Sequence, residues 1–147
     1  MLLHAPGGFT MSDDQALLAA NEAFYQAFNT RNLKAMEAIW AKRTPIACIH
    51  PGWGPLVDRD KVIESWAEIL GGPNPPRIAC HGARAFLFGE SAFVICFEAV
   101  QGTFLIATNV FVKEDGDWRL VHHQAGPTNE TPQEAPPPPR PSKKTVH

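Results

Sequence analysis

Apolar residues in the first third of the chain recur at helical spacing. Leu17, Leu18, Phe24, Tyr25 and Phe28 form one stripe, preceded by Ser12, Asp13 and Asp14, which offer a cap and first-turn negative charge. This pattern predicts one long amphipathic helix ending near Asn29 to Asn32. Leu33, Met36, Ile39 and Trp40 predict a short second helix that Pro45 ends. Ile46-Ala47-Cys48-Ile49 is short, apolar and partly β-branched, which fits a buried strand. Two prolines and two glycines in His50-Pro51-Gly52-Trp53-Gly54-Pro55 then dictate a turn. After Asp58 and Asp60, which read as capping residues, Val62, Ile63, Trp66, Ile69 and Leu70 predict a third helix. Gly71-Gly72-Pro73 stops it.

From Arg77 onward the rhythm changes to strands, over Ile78 to Leu87, Ala92 to Val100, Thr103 to Lys113 and Trp118 to Gln124. Glu114-Asp115-Gly116-Asp117 reads as a hairpin turn, and tight turns between successive strands predict an antiparallel meander. Between Phe104 and Val112 both alternating sets are apolar: Phe104, Ile106, Val110 and Val112 on one face, Leu105, Ala107 and Phe111 on the other. Helices are expected over one side and a second subunit over the other.

The 147 residues suffice for one domain, and 44% hydrophobic with 19% charged residues is a globular composition. The expected organisation is a flexible N-terminus over 1–11, a folded domain over 12–126 and a disordered tail over 127–147, which holds half of the 14 prolines. That tail reads as a solvated extension, with docking into an aromatic groove as the rival reading. A net charge of -2 and a pI near 6.3 offer no field for a nucleic acid partner. No apolar run is long enough for a membrane helix, and Met1 to Thr10 lack the basic start and apolar core of a secretory leader, so a cytoplasmic protein is expected. Cys48, Cys80 and Cys96 sit among apolar neighbours and read as reduced, buried thiols. No metal-ligand spacing, glycine-rich fingerprint or phosphate loop occurs, so neither metal nor cofactor is indicated.

The turn Ile49-His50-Pro51-Gly52-Trp53 leading into a helix with Ser65-Trp66, together with Gly116-Asp117-Trp118-Arg119-Leu120-Val121-His122-His123 on the last strand, resembles the nuclear transport factor 2-like superfamily, SnoaL-like branch, over roughly Ser12 to Gly126. The resemblance implies an α+β cone-shaped roll: three N-terminal helices packed on a curved antiparallel β-sheet, a pocket at the open end, and a homodimer through the sheet. It implies no single activity, since the same cone serves isomerases, dehydratases, cyclases, oligomerisation modules and transport adaptors. Family enzymes carry an Asp/His or Asp/Tyr pair in the cone, and no acidic residue here aligns with one. Some family binding modules carry an arginine two residues after the final-strand histidines; Ala125 stands there, which weighs against an anion pocket.

Adjacent strand residues face opposite ways, so one of His122 and His123 faces the pocket unless a bulge intervenes, and that one is the candidate general acid or base. The competing role is a hydrogen-bonded core or interface histidine. His50 is a pocket-mouth ligand group or a turn anchor. Trp53, Trp66 and Trp40 are candidate flat walls for an apolar or aromatic ligand, with Trp40 and Trp66 more commonly plain core. Glu98, amid apolar residues, either reaches the sheet rim or is a perturbed acid with a histidine partner. Asn109 is a candidate orienting group, and Arg84 a pocket charge or a surface position. Two functions fit: a small-molecule pocket, with a cofactorless isomerase, dehydratase or hydrolase activity run by a pocket histidine, or a noncatalytic ligand-binding or homo-oligomerisation module.

Overall fold

A computed structural model describes residues 11–133. The expected N-terminal segment up to Thr10 and the proline run Pro136 to Pro139 lie outside the described residues. The chain folds as α1 (Asp13–Asn29), α2 (Leu33–Ile39), β1 (Ala47–Ile49), α3 (Arg59–Leu70), β2 (Ala79–Phe88), β3 (Ser91–Val100), β4 (Thr103–Glu114) and β5 (Asp117–Pro127). It is an α+β fold, with three helices packed on a curved five-stranded sheet.

The helix starts follow local chemistry. Ser12 and Gln15 form a reciprocal capping box at α1, and Asp58 accepts from the N–H groups of Asp60 and Lys61 at α3. Asp60 itself lies in the first turn of α3, where its charge faces the helix dipole. The second helix departs from expectation, ending at Ile39, well before Pro45. Trp40 turns extended and bridges to Leu120. The Arg59 guanidinium then donates to the carbonyls of Glu37, Trp40 and Ala41 that the helix end leaves open.

The sheet order is β1-β5-β4-β3-β2. Strands β2 to β5 form the expected antiparallel meander, with Gln101-Gly102 and Asp115-Gly116 both at positive φ in tight hairpin turns. The edge strand corrects the picture: β1 pairs parallel to β5, with Ala47 opposite His122 and Cys48 opposite His123. That pairing returns the first strand to the last one.

The core lies between the helices and the inner face of the sheet, built on Leu17, Phe24, Tyr25, Met36, Trp40, Val62, Val94, Phe111 and Leu120. On the outer face Phe93, Ile95, Phe97, Phe104, Ile106 and Val110 are half-buried within the single chain. No helix among the described residues is long and apolar enough to cross a membrane.

Candidate functional site

One cavity of about 280 Å³ opens between α1, α3, the loop after β1 and the inner face of the sheet. Its walls are Phe28, Pro51, Trp53, Trp66, Ile69, Pro76, Ile78, Val100 and Leu105, and its polar groups are His50, Glu98 and His123. Among the described residues, neither lysine nor arginine lines it. A groove of about 330 Å³ between α1 and the β4–β5 hairpin holds the Lys113–Asp13 ion pair but none of these groups.

A bulge decides which histidine enters. Val110 pairs with His122 but Phe111 pairs with Leu120, so Val121 is an extra residue in β5. Before it Trp118 and Leu120 face inward; after it His123 and Ala125 do. His122 is half-buried on the other phase, its Nδ1 3.0 Å from the Ala47 carbonyl oxygen.

His123 heads a hydrogen-bonded chain with a defined polarity. Asn109 Nδ2 donates to Asn21 Oδ1 at 2.8 Å and to Tyr25 Oη at 3.1 Å. Asn109 Oδ1 must therefore accept, and it takes the proton of His123 Nδ1 at 2.6 Å. The Nε2 lone pair is left free, 4.0 Å from Glu98 Oε2. Tyr25 donates its hydroxyl to that same oxygen at 2.7 Å.

Burial sets the charge states of this pair. Glu98 is 2% exposed, and desolvation pushes its carboxyl above the usual carboxylate range despite the opposing bond from Tyr25. His123 is lowered to about 3, first by burial and then by its electrostatic coupling to the neighbouring His50 and His122 rings. An acid held toward its protonated form thus faces a histidine held neutral.

His50 sits at the β1 end because the Trp53 N–H closes a turn onto its carbonyl, with Pro51 and Gly52 (φ +85) at the corners. Leu56 then pairs back onto Cys48. The His50 ring meets Trp53 and Trp66 edge-on, at 4.7 and 4.6 Å between centroids. Ser65 gives its hydroxyl proton to the Val62 carbonyl, so it accepts from His50 Nε2 at 2.9 Å. Burial lowers His50 to about 4.

Of the residues singled out from sequence, His50, Trp53, Trp66, Glu98 and His123 meet in the cavity, and Asn109 lies directly beneath it. The rim position for Glu98 is corrected: it shares the inward phase of Ala92, Val94 and Cys96. Trp40 is fully buried core and Arg84 lies on the surface over the Phe86 ring, so neither lines the cavity. Tyr25, Asn21 and Ser65 were not picked out as site residues. Asn21 and Ser65 are polar residues in apolar helical stripes, a signal that could have found them. Asn29 also escaped notice, though it pairs with both backbone groups of Ile78 at 2.8 Å and pins the cavity rim to α1.

Residues 17–129 match the SnoaL-like domain model, a stretch that contains every cavity and network side chain. The chain belongs to the SnoaL-like domain family. A candidate dehydratase of the NTF2-like family from Streptomyces avermitilis is similar at 27% identity and a TM-score of 0.73, over 80% of this chain and 97% of that one. A candidate calcium/calmodulin-dependent protein kinase type II association domain from Thiobacillus denitrificans is 32% identical with a TM-score of 0.68, over 76% of this chain and 94% of that one. The chain is also similar to the Arabidopsis thaliana F-box protein SKIP8, at 26% identity over 113 residues and 76% of this chain. The matched region covers 49% of that protein, so this chain spans about half the length of its curated relative.

Proposed function

We propose that this SnoaL-like chain binds an uncharged apolar or aromatic small molecule in the cavity and performs a cofactorless proton transfer on it, a dehydration or an isomerisation. The observation that carries this reading is the facing pair at the cavity floor, Glu98 pushed toward the acid and His123 pushed toward the free base, 4.0 Å apart. His123 Nε2 takes a proton from the ligand, and the Glu98 carboxyl gives one to a departing hydroxyl or to the far end of a shifting double bond. Asn109 fixes the tautomer that makes Nε2 the base. The flat walls from Phe28, Trp53 and Trp66 orient a ring, and a lining that holds no cation among the described residues favours a neutral ligand. The likeness to a candidate dehydratase supports the same reaction class.

The test is a thermal-shift screen of uncharged cyclic alcohols and ketones, followed by turnover assays on the hits. A ligand at 100 times its dissociation constant stabilises by about 2.7 kcal/mol, a rise of several degrees in Tm. Turnover by the wild type that is lost in His123→Gln supports the assignment. Turnover unchanged by that substitution overturns it.

The outer sheet face favours a second reading, a homo-oligomerisation module. Phe86 stacks on Phe93 at 4.8 Å, and Ile95, Phe97, Phe104, Ile106 and Val110 of β3 and β4 lie half-covered on the same face. Likeness to an association domain supports self-assembly through the sheet, with or without catalysis. Light scattering that gives a monomer mass at high micromolar concentration counts against it.

A further inference from the structure

The span between α3 and β2 forms part of the cavity wall yet has few bonds of its own. Gly71 and Gly72 close α3 by donating to the Ala67 and Ile69 carbonyls at 2.9 and 3.3 Å. The next anchored residue is Ile78, and among the described residues 73–77 make no hydrogen bond. Pro73, Pro75 and Pro76 have no N–H to give, and Asn74 takes a left-handed φ of +50. Pro76 and Ile78 nevertheless line the cavity that holds His50, Glu98 and His123.

Among the described residues one side chain holds this wall in place. Asn29, the last residue of α1, donates from Nδ2 to the Ile78 carbonyl and accepts the Ile78 N–H at Oδ1, both at 2.8 Å. The amide stands in for a neighbouring strand just ahead of β2, the outermost strand of the sheet. A carboxamide supplies donor and acceptor side by side, which a carboxylate or an alkyl group cannot. Asn29 and Ile78 also line a separate polar groove of about 320 Å³ with Glu22, Gln26 and Arg77. The pair is thus wetted from the groove while the cavity lies on the other side of Ile78. Water from the groove can take up both bonds when they break, which keeps a local opening cheap.

We propose that Asn29 is the latch of a cavity flap over residues 71–78, and that small molecules reach His123 when its two bonds to Ile78 break. The prolines restrict the freed span, so it swings as a stiff flap about Gly71-Gly72 and carries Pro76 and Ile78 away from the cavity together. The sheet itself stays paired, since neither bond belongs to a strand ladder. Asn29 is therefore a positioning residue: it touches no ligand and sets how often the cavity opens. This role rests on the reading of the cavity as a ligand site, not on proton transfer there.

Diethyl pyrocarbonate, a small uncharged reagent that modifies neutral imidazole, reports access without needing affinity for the cavity. The full chain is labelled, and peptide mapping follows His123 in the cavity against the exposed His81 of β2. Asn29→Ala should speed His123 labelling about tenfold, the worth of two modest hydrogen bonds, with His81 unchanged. Asn29→Asp keeps the acceptor for the Ile78 N–H but loses the donor, so it should fall between wild type and Asn29→Ala; it also keeps the test decisive if Asn29→Ala folds poorly. Amide hydrogen exchange at Ile78 should rise in step, ahead of exchange at Val94 in the core of β3. Asn32→Ala, which removes the side chain that caps α2, controls for general destabilisation and should leave the ratio of His123 to His81 labelling as in wild type. His123 labelling unchanged in both Asn29 variants, or Ile78 exchanging no faster than Val94 in wild type and in Asn29→Ala, overturns the latch. No turnover is read, so failure of the latch is distinct from failure of the proton-transfer mechanism, which His123→Gln tests.

Discussion

Glu98 and Glu114 are both buried, at 2% and 7% exposure, yet their surroundings drive them in opposite directions. Burial by itself raises Glu114, but the N–H groups of Lys42, Arg43 and Thr44 and the Thr44 hydroxyl all donate to its carboxylate and hold it at about 2. Among the described residues Glu98 has one donor, Tyr25, and it rises. The saturated carboxylate fastens the loop after α2 to the β4–β5 hairpin. The undersupplied one sits at the cavity floor, where spare hydrogen-bonding capacity is what a ligand can use. Burial of a carboxylate thus says little about its role until its donors are counted.

The sharpest way to break this comparison is to exchange the two losses. Glu98→Gln should lower turnover by about 10² to 10⁴-fold, the usual worth of a general acid or base, while changing stability by under about 1 kcal/mol. A denaturation midpoint that moves as far for Glu98→Gln as for Glu114→Ala removes the distinction.

Acidification gives the next largest effect. His50 and His123 have folded pKa values of about 4 and about 3, below the unfolded value of 6.5, so unfolded chains bind protons that native ones refuse. Their contribution is full above 6.5 and is lost as pH falls toward 4 and 3, with a combined slope of up to about 2.7 kcal/mol per pH unit. Glu98 runs the other way: its folded pKa lies above the unfolded one, so its contribution is full at low pH and is lost as pH rises from about 4.5. Urea titrations across pH 4 to 7 should therefore show a steeper acid loss in Glu98→Gln than in wild type.

Glu114→Ala should cost about 2 to 3 kcal/mol, since it orphans four donors at once, and chemical denaturation measures it. The smallest change is Tyr25→Phe, expected to cost about 1 to 2 kcal/mol. It also removes the bond that holds Glu98 down, so the basic limb of the pH–rate profile should move to higher pH. An unmoved limb would mean that Glu98 does not titrate in turnover.

Much of the frame was readable because it depends on neighbours in sequence. Ser12 and Asp58 cap as their positions suggest, and alternation placed β2 to β5. Features set by distant residues were not. Trp40 leaves the helix for Leu120, which no local pattern announces. Strict alternation cannot locate the extra Val121 that turns His123 rather than His122 inward, because Val-His-His reads equally well in either phase. The inward set Ala92, Val94, Cys96 and the outward set Phe93, Ile95, Phe97 are both apolar, so the side taken by Glu98 was open. Its partner Tyr25 stands 73 positions away.

The parallel seam between β1 and β5 joins residues 75 apart, as His122 and Ala47 show. Closing so long a loop carries an entropic cost that only the completed sheet offsets. His50 and His123, though fixed by opposite ends of the domain, become neighbours only when that seam is zipped. During synthesis the Glu98–His123 pair and its aromatic walls can therefore assemble only after the last strand has left the ribosome, and a nascent chain stopped short of β5 would carry helices and hairpins but no floor to its cavity.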